Sequence, residues 1–115
     1  MPWVVDAADD TFHQVTDAGR LPVLVDLWAP WCGPCRLVGP ALEQLAGEMA
    51  GRVKLVKVNV DRAPGVQTRF GVRGVPTLVL LRDGREVGRK VGAAPLGELR
   101  SWLESTIGQA DVARS

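Results

Sequence analysis

Six consecutive residues, Val23-Leu24-Val25-Asp26-Leu27-Trp28, are apolar at every position but one. Side chains alternate between the two faces of a strand, so a strand with a solvated side would alternate in polarity. This one has no solvated side, which places it in the middle of a sheet covered by other elements on both faces. With 115 residues and 46% apolar composition, the chain has material for one core of that kind and one domain. Asp26 then sits among apolar neighbours, sharing a strand face with Leu24 and Trp28. Desolvation should raise its pKa and let it hold a proton near neutrality. The plainer alternative is a carboxylate satisfied by hydrogen bonds near the strand end or paired with a lysine. A buried carboxyl is destabilising unless something offsets it, which favours a chemical role.

Periodicity places the other elements. Residues 3–5 read as a short strand, and residues 9–15, with Phe12 and Val15 on one side, as a helix stopped by Asp17-Ala18-Gly19. Leu37, Val38, Ala41, Leu42, Leu45, Ala46 and Met49 recur near i, i+3, i+4 spacing and make residues 35–49 a helix with one buried face. Pro40 inside it removes a hydrogen bond and should bend it. Residues 53–60 form a β-branched strand, and residues 64–70 a short helix closed by Gly71. Residues 77–81 and 86–91 flank Asp83-Gly84, a hairpin signal, so these two strands are antiparallel. A last helix begins at Pro95 and buries Leu96, Leu99, Leu103 and Ile107, with Trp102 packing on it. It should end before Gly108, leaving residues 1–108 as the domain and residues 109–115 as a frayed tail. The order β-α-β-α-β-α-β-β-α predicts an α/β fold, a central mixed sheet flanked by helices on both faces.

The chemistry starts where the central strand ends. Cys32 and Cys35, the two cysteines of the chain, lie in Trp28-Ala29-Pro30-Trp31-Cys32-Gly33-Pro34-Cys35. Sulfurs separated by Gly-Pro can close a disulfide within one turn, so oxidation and reduction need only a small backbone movement. Cys32 falls at the start of the next helix, where amide N–H groups without intrahelical partners carry about half a positive charge and favour a thiolate. A thiol with the ordinary pKa of about 8.5 is roughly 3% ionised at pH 7, whereas one tuned to about 7 is half ionised. Only the thiolate attacks a disulfide. Cys35, inside the first helical turn, should be less exposed and act second, resolving the mixed disulfide. Trp28 should lie in the core under the pair.

Other uses of two cysteines fit less well. A tetrahedral zinc site needs four ligands, and the chain offers no further Cys and one His, His13, so no metal is expected. A structural disulfide closing so short a loop removes little entropy from the unfolded chain. A Cys-x-x-Cys pair in an α/β pattern reads as redox-active. The formal net charge of +1 gives no electrostatic reason to expect nucleic acid or a membrane surface as partner, and a protein partner fits better. Residues 1–10 have neither a basic n-region nor a long apolar h-region, and no run is long enough to span a bilayer. Export is not expected, and two neighbouring thiols without a wider cysteine framework fit a reducing, cytoplasmic compartment.

Trp31-Cys32-Gly33-Pro34-Cys35, Asp26 ahead of it, Val75-Pro76-Thr77 about forty residues on, and Gly92 together resemble the thioredoxin family, and the resemblance runs from end to end. It implies the thioredoxin fold and a general protein-disulfide reductase working by dithiol–disulfide exchange. In that family the leading thiol titrates at about 7 and the couple has a potential of about −270 mV. Asp26 would accept and donate the proton of Cys35. Lys57, which shares its strand side with Leu55 and Asn59, would lie beside Asp26 and tune it; read from the residues alone, Lys57 extends its ammonium to solvent equally well. Pro76 would be cis, an isomer essentially confined to X-Pro bonds, and would leave the Val75 backbone free to pair with an extended client segment. Trp31, Gly33, Pro34, Gly74, Val75, Pro76 and Gly92 would form the substrate surface, Trp31 by apolar contact and the glycines by allowing close approach. For each glycine a simple turn requirement is the plainer reading.

The resemblance also implies no bound cofactor and a monomer. Recycling would fall to an NADPH-dependent flavoprotein thioredoxin reductase, and typical clients are ribonucleotide reductase, peroxiredoxins and methionine sulfoxide reductases. Two alternatives stay open. One is a disulfide oxidant or isomerase of the same fold, against which Gly33-Pro34 argues because oxidising relatives usually carry a His there. The other is a redox-independent binding module whose thiols are incidental. The chain departs from the family pattern at Leu27, where an aromatic is common, at Arg36, where Lys is usual, and at Pro30. The last two flank the cysteines and bear on recognition by the reductase rather than on the chemistry.

Overall fold

The computed structural model describes residues 3–17 and 19–114. Among these residues, five strands form one sheet in the order β1-β3-β2-β4-β5: β1 (Val4–Ala7), β2 (Val23–Trp28), β3 (Lys54–Asn59), β4 (Thr77–Arg82) and β5 (Arg85–Val91). The helices are α1 (Phe12–Asp17), α2 (Gly33–Glu48), α3 (Pro64–Phe70) and α4 (Leu96–Arg114), with a 3₁₀ turn at Val60–Arg62. β1 and β2 run parallel to β3, while β4 runs antiparallel to β2 and to β5. A parallel neighbour needs a crossover, which α2 supplies between β2 and β3. The antiparallel pair needs only a tight turn, and Asp83-Gly84 makes it with φ of 54° and 78°.

β2 is the central strand, and Val25 pairs with Val56 on one side and Val79 on the other. The sheet divides the core into two layers. On one face Val25, Leu27, Val56, Val58 and Val79 pack with Phe12 of α1 and with Val66 and Phe70 of α3. On the other, Leu24, Leu55, Leu78 and Leu80 pack with Val38, Leu42 and Leu45 of α2 and with Leu99 and Leu103 of α4. This is the mixed, doubly covered sheet that the run at residues 23–28 demanded.

Several element ends differ from the sequence reading. α1 starts at Phe12, later than expected, because residues 8–11 first close a turn in which the Ala8 N–H donates to Thr11 Oγ1 at 3.1 Å. α2 starts earlier, at Gly33, because Cys32 is itself the N-cap, and it is helical through Pro40. Pro95 stands just ahead of α4, its carbonyl accepting the Leu99 N–H at 3.0 Å. α4 does not stop at Gly108. Residues 109–114 continue the helix, correcting the expected helix stop and the frayed tail after it. Arg82 of β4 reaches Asp111 across 3.3 Å, and this tie offsets part of the ~1 kcal/mol by which a glycine weakens a helix interior. Ala18, read as part of the stop after α1, and Ser115 lie outside the described residues.

Trp28 is also corrected. At the end of β2 it packs against the layer that holds Cys32 and Cys35, as expected, and lines a pocket with Asp26, but it is half-buried rather than in the core. Trp102 packs against the opposite layer. A Cβ on Gly88 of β5 would meet Thr106 Cγ2 of α4 at 2.5 Å, so only glycine lets these two elements approach this closely.

Candidate active site

The junction of β2 and α2 carries the sulfur pair. Cys32 takes the extended N-cap conformation, φ −90° and ψ 110°, and its Sγ accepts the Cys35 N–H at 3.1 Å. One of the orphan donors of the helix start is thereby satisfied by sulfur. Pro34 fits the first turn because the N–H it lacks would have had no intrahelical partner. Cys32 and Cys35 are joined by a disulfide, with Cα atoms 5.3 Å apart. Their exposures, 4% and 5%, do not separate them, which corrects the expectation that Cys35 is the less exposed of the two. Their neighbours do separate them. Cys32 Sγ lies 3.6 Å from the Val75 carbonyl oxygen on the rim, whereas Cys35 lines a pocket together with Asp26.

The rim is built by the loop before β4. The Val75–Pro76 peptide is cis. Thr77 Oγ1 donates to the Gly74 carbonyl at 2.6 Å, and the Gly92 N–H donates to the Pro76 carbonyl at 2.9 Å, so these two hydrogen bonds tie together the loop expected at the substrate surface. Gly92 has φ +93°, a conformation that itself calls for glycine. Gly33 and Gly74 have no such φ, and a Cβ on either would meet nothing within 4 Å. Their lack of a side chain leaves space open beside the disulfide rather than answering an internal need. Trp31 is 68% exposed, and its Nε1 donates to Asp61 Oδ2 at 3.0 Å. Asp61 is placed in turn by Asn59, whose side chain accepts the Asp61 N–H at 3.0 Å. Leu37 of α2 and Val91 beside Gly92 add exposed apolar area to this end of the molecule.

Behind the cysteines lies a pocket of about 170 Å³ bordered by Asp26, Trp28, Cys35, Glu43 and Lys57. Asp26 is 1% exposed, and its Oδ1 has no hydrogen-bond partner among the described residues. Burial raises its pKa from 3.8 to about 6, against the attraction of Lys57, which lowers it, and with the repulsion of Glu43, which raises it. Lys57 stands directly across from Asp26 in the β2–β3 register. Its ammonium, however, neither runs to open solvent nor pairs with Asp26. It lies 3.3 Å from Glu43 Oε2 and 5.8 Å from the centre of the Trp28 ring.

The structure therefore brings Cys32, Cys35, Asp26, Lys57, Trp31, Val75, Pro76 and Gly92 to one end of the sheet, and adds two residues the sequence reading missed. Glu43 had a signal: Cys35, Gly39 and Glu43 are spaced i, i+4, i+8 and share one side of α2. Asp61 had none, because its contact with Trp31 depends on how the turn after β3 meets the loop after β2.

A family model described as Thioredoxin matches residues 3–105. The chain is 43% identical over 107 residues to a thioredoxin of Haemophilus influenzae, covering 93% of this chain and 100% of that protein. It is 46% identical over 96 residues to thioredoxin 1 of Synechococcus elongatus, covering 84% and 90%. With a thioredoxin of Allochromatium vinosum the identity is 44% over 102 residues, covering 89% and 95%. The matched stretch takes in all five strands, the disulfide at the start of α2 and the cis-proline loop opposite it, and on that evidence the chain belongs to the thioredoxin family.

Proposed function

We propose that this protein-disulfide reductase works with Cys32 as the attacking thiol, Cys35 as the resolving thiol and Asp26 as the acceptor of the Cys35 proton. In the reduced form the N–H groups at the start of α2 favour the anionic state of Cys32. The Cys32 thiolate attacks one sulfur of a client disulfide; that S–S bond breaks, the other client sulfur leaves as a thiolate, and Cys32 is left in a mixed disulfide. Asp26 takes the proton of Cys35, and the Cys35 thiolate attacks Cys32 Sγ. The second client sulfur leaves, the Cys32–Cys35 disulfide closes, and two electrons have passed to the client. With a pKa of about 6, Asp26 is roughly nine-tenths ionised at pH 7, ready to accept that proton.

The observation that carries this reading is the asymmetry of the pair: Cys32 caps the helix and faces the rim, while Cys35 shares a pocket with the buried acid. Lys57 tunes that acid. Trp31, Gly33, Pro34, Gly74, Val75, Pro76 and Gly92 receive the client segment, which lies along the Val75 backbone in the manner of an added strand. A flavoprotein thioredoxin reductase using NADPH returns the disulfide to the dithiol. Clients are cytoplasmic disulfide-forming enzymes such as ribonucleotide reductase, peroxiredoxins and methionine sulfoxide reductases, met by a monomer without a cofactor.

The test is trapping. Cys35→Ser should accumulate a stable mixed disulfide with a model protein disulfide through Cys32, and Cys32→Ser should not. Trapping with the roles reversed would refute the assignment. An equilibrium potential against glutathione well above about −270 mV would point instead to an oxidant.

A further inference from the structure

Two carboxylates and one ammonium share the pocket behind Cys35, and the ammonium is placed on the outer carboxylate. Asp26 and Lys57 face each other in register on adjacent strands, so a direct ion pair between them needs no rearrangement of the sheet. Such a pair would give the orphaned Asp26 Oδ1 a partner. Instead Lys57 Nζ is held 3.3 Å from Glu43 Oε2, with the Trp28 ring on another side at 5.8 Å. Glu43 comes from α2, the element that also carries Cys35, and its half-exposed carboxylate sits where the pocket meets solvent.

We propose that Glu43 is a positioning residue of the exchange reaction: by holding Lys57 at the pocket wall it keeps that cation off Asp26 and so keeps Asp26 basic enough to take the proton of Cys35. The inference rests on the reading of Asp26 as that acceptor. The charged and titratable groups facing Asp26 are Lys57 from β3 and Cys35, Arg36 and Glu43 from α2, while β4 presents the apolar Leu78. Arg36 is turned away, its guanidinium donating to the Pro30 carbonyl at 2.9 Å on the rim. Lys57 is thus the cation able to reach Asp26; Asp6 of β1 stands across from it on the other side in register, but it is Glu43 that its ammonium meets. A cation paired directly with a carboxylate lowers its pKa by about 1–3 units. An acceptor so weakened would hold a thiol proton poorly at neutral pH. Removing the Glu43 charge acts twice in the same direction, freeing Lys57 to approach Asp26 and deleting the repulsion that favours the protonated acid.

The reaction with an aromatic disulfide such as Ellman's reagent isolates the step. The reduced chain releases one coloured thiolate when Cys32 is captured and a second when Cys35 attacks, and the rate of the second release is followed from pH 5 to 9. In parallel, the Asp26 carboxyl carbon is titrated by NMR in the oxidised chain. Glu43→Gln should move the acid inflection of both down by about one pH unit, and Glu43→Asp, which keeps the charge, should restore most of it. Asp26→Asn should abolish the inflection. If Glu43→Gln leaves the inflection in place while Asp26→Asn removes it, the role of Glu43 is wrong and the role of Asp26 stands. An inflection that survives in Asp26→Asn overturns both.

Discussion

Replacing Asp26 by asparagine should stabilise the protein at neutral pH and leave it nearly unchanged in acid. Unfolded, the carboxyl titrates near 3.8; folded and 1% exposed, it titrates at about 6. Below 3.8 both states are protonated and the residue takes nothing from stability. Between 3.8 and about 6 the unfolded chain releases the proton and the native one keeps it, so stability falls as pH rises; above about 6 the full loss is present. A rise of roughly two units at 1.36 kcal/mol each is ~3 kcal/mol at pH 7. The group is almost wholly buried, so solvent screening reduces this little. Asparagine does not titrate, and any constant difference in its hydrogen bonding cancels when two pH values are compared. Urea unfolding of the oxidised wild type and Asp26→Asn at pH 3.5 and pH 7 should therefore give a difference that grows by about 3 kcal/mol across the interval, about 10 °C in Tm for a chain of this size. A difference that does not change with pH would refute the claim that an ionised carboxylate is buried in this core.

Two further substitutions test parts of the structure the sequence did not reveal. Asp61→Asn exchanges a charged acceptor for a neutral one at the Trp31 indole, so Trp31 should lose its fixed orientation: the KM for a protein disulfide should rise a few-fold with kcat unchanged, and the rate with a small disulfide should not move. Equal effects on both substrates would place Asp61 in the chemistry instead. Gly108→Ala should raise stability by up to ~1 kcal/mol, because position 108 is helical and an added Cβ meets nothing within 4 Å. No gain in thermal unfolding would mean that the helix is not formed there.

What could be read in advance follows from which forces act along the chain and which act across it. The run at residues 23–28, apolar but for Asp26, pointed to a doubly covered sheet, and Asp83-Gly84 to its antiparallel edge, because periodicity and turn chemistry are local. The end of α4 was missed because Gly108 is a good stop signal by itself, and what carries the helix past it, Arg82 reaching Asp111, is a contact between elements 29 residues apart in the chain. The site divides in the same way. Cys32 as N-cap follows from strand, sulfur and Gly-Pro in succession. The separation of Lys57 from Asp26 does not, since the family resemblance sets these two residues side by side and only the seating of α2 over β3 brings in Glu43.

That seating has a thermodynamic consequence. A direct Asp26–Lys57 pair would lower the pKa of the acid and return part of the ~3 kcal/mol that its ionised form takes from the fold at pH 7. The structure forgoes that stabilisation: the cation goes to a half-exposed acid, and the buried one keeps an oxygen without a partner among the described residues. Such an arrangement serves packing poorly, because an apolar side chain at position 26 would fill the same space without the loss. It serves proton transfer well, because a carboxylate whose pKa lies near the working pH accepts and returns a proton with little free energy spent in either direction. The unpartnered carboxylate borders the pocket that Cys35 also lines, and the rest of the sheet is covered on both faces by apolar layers.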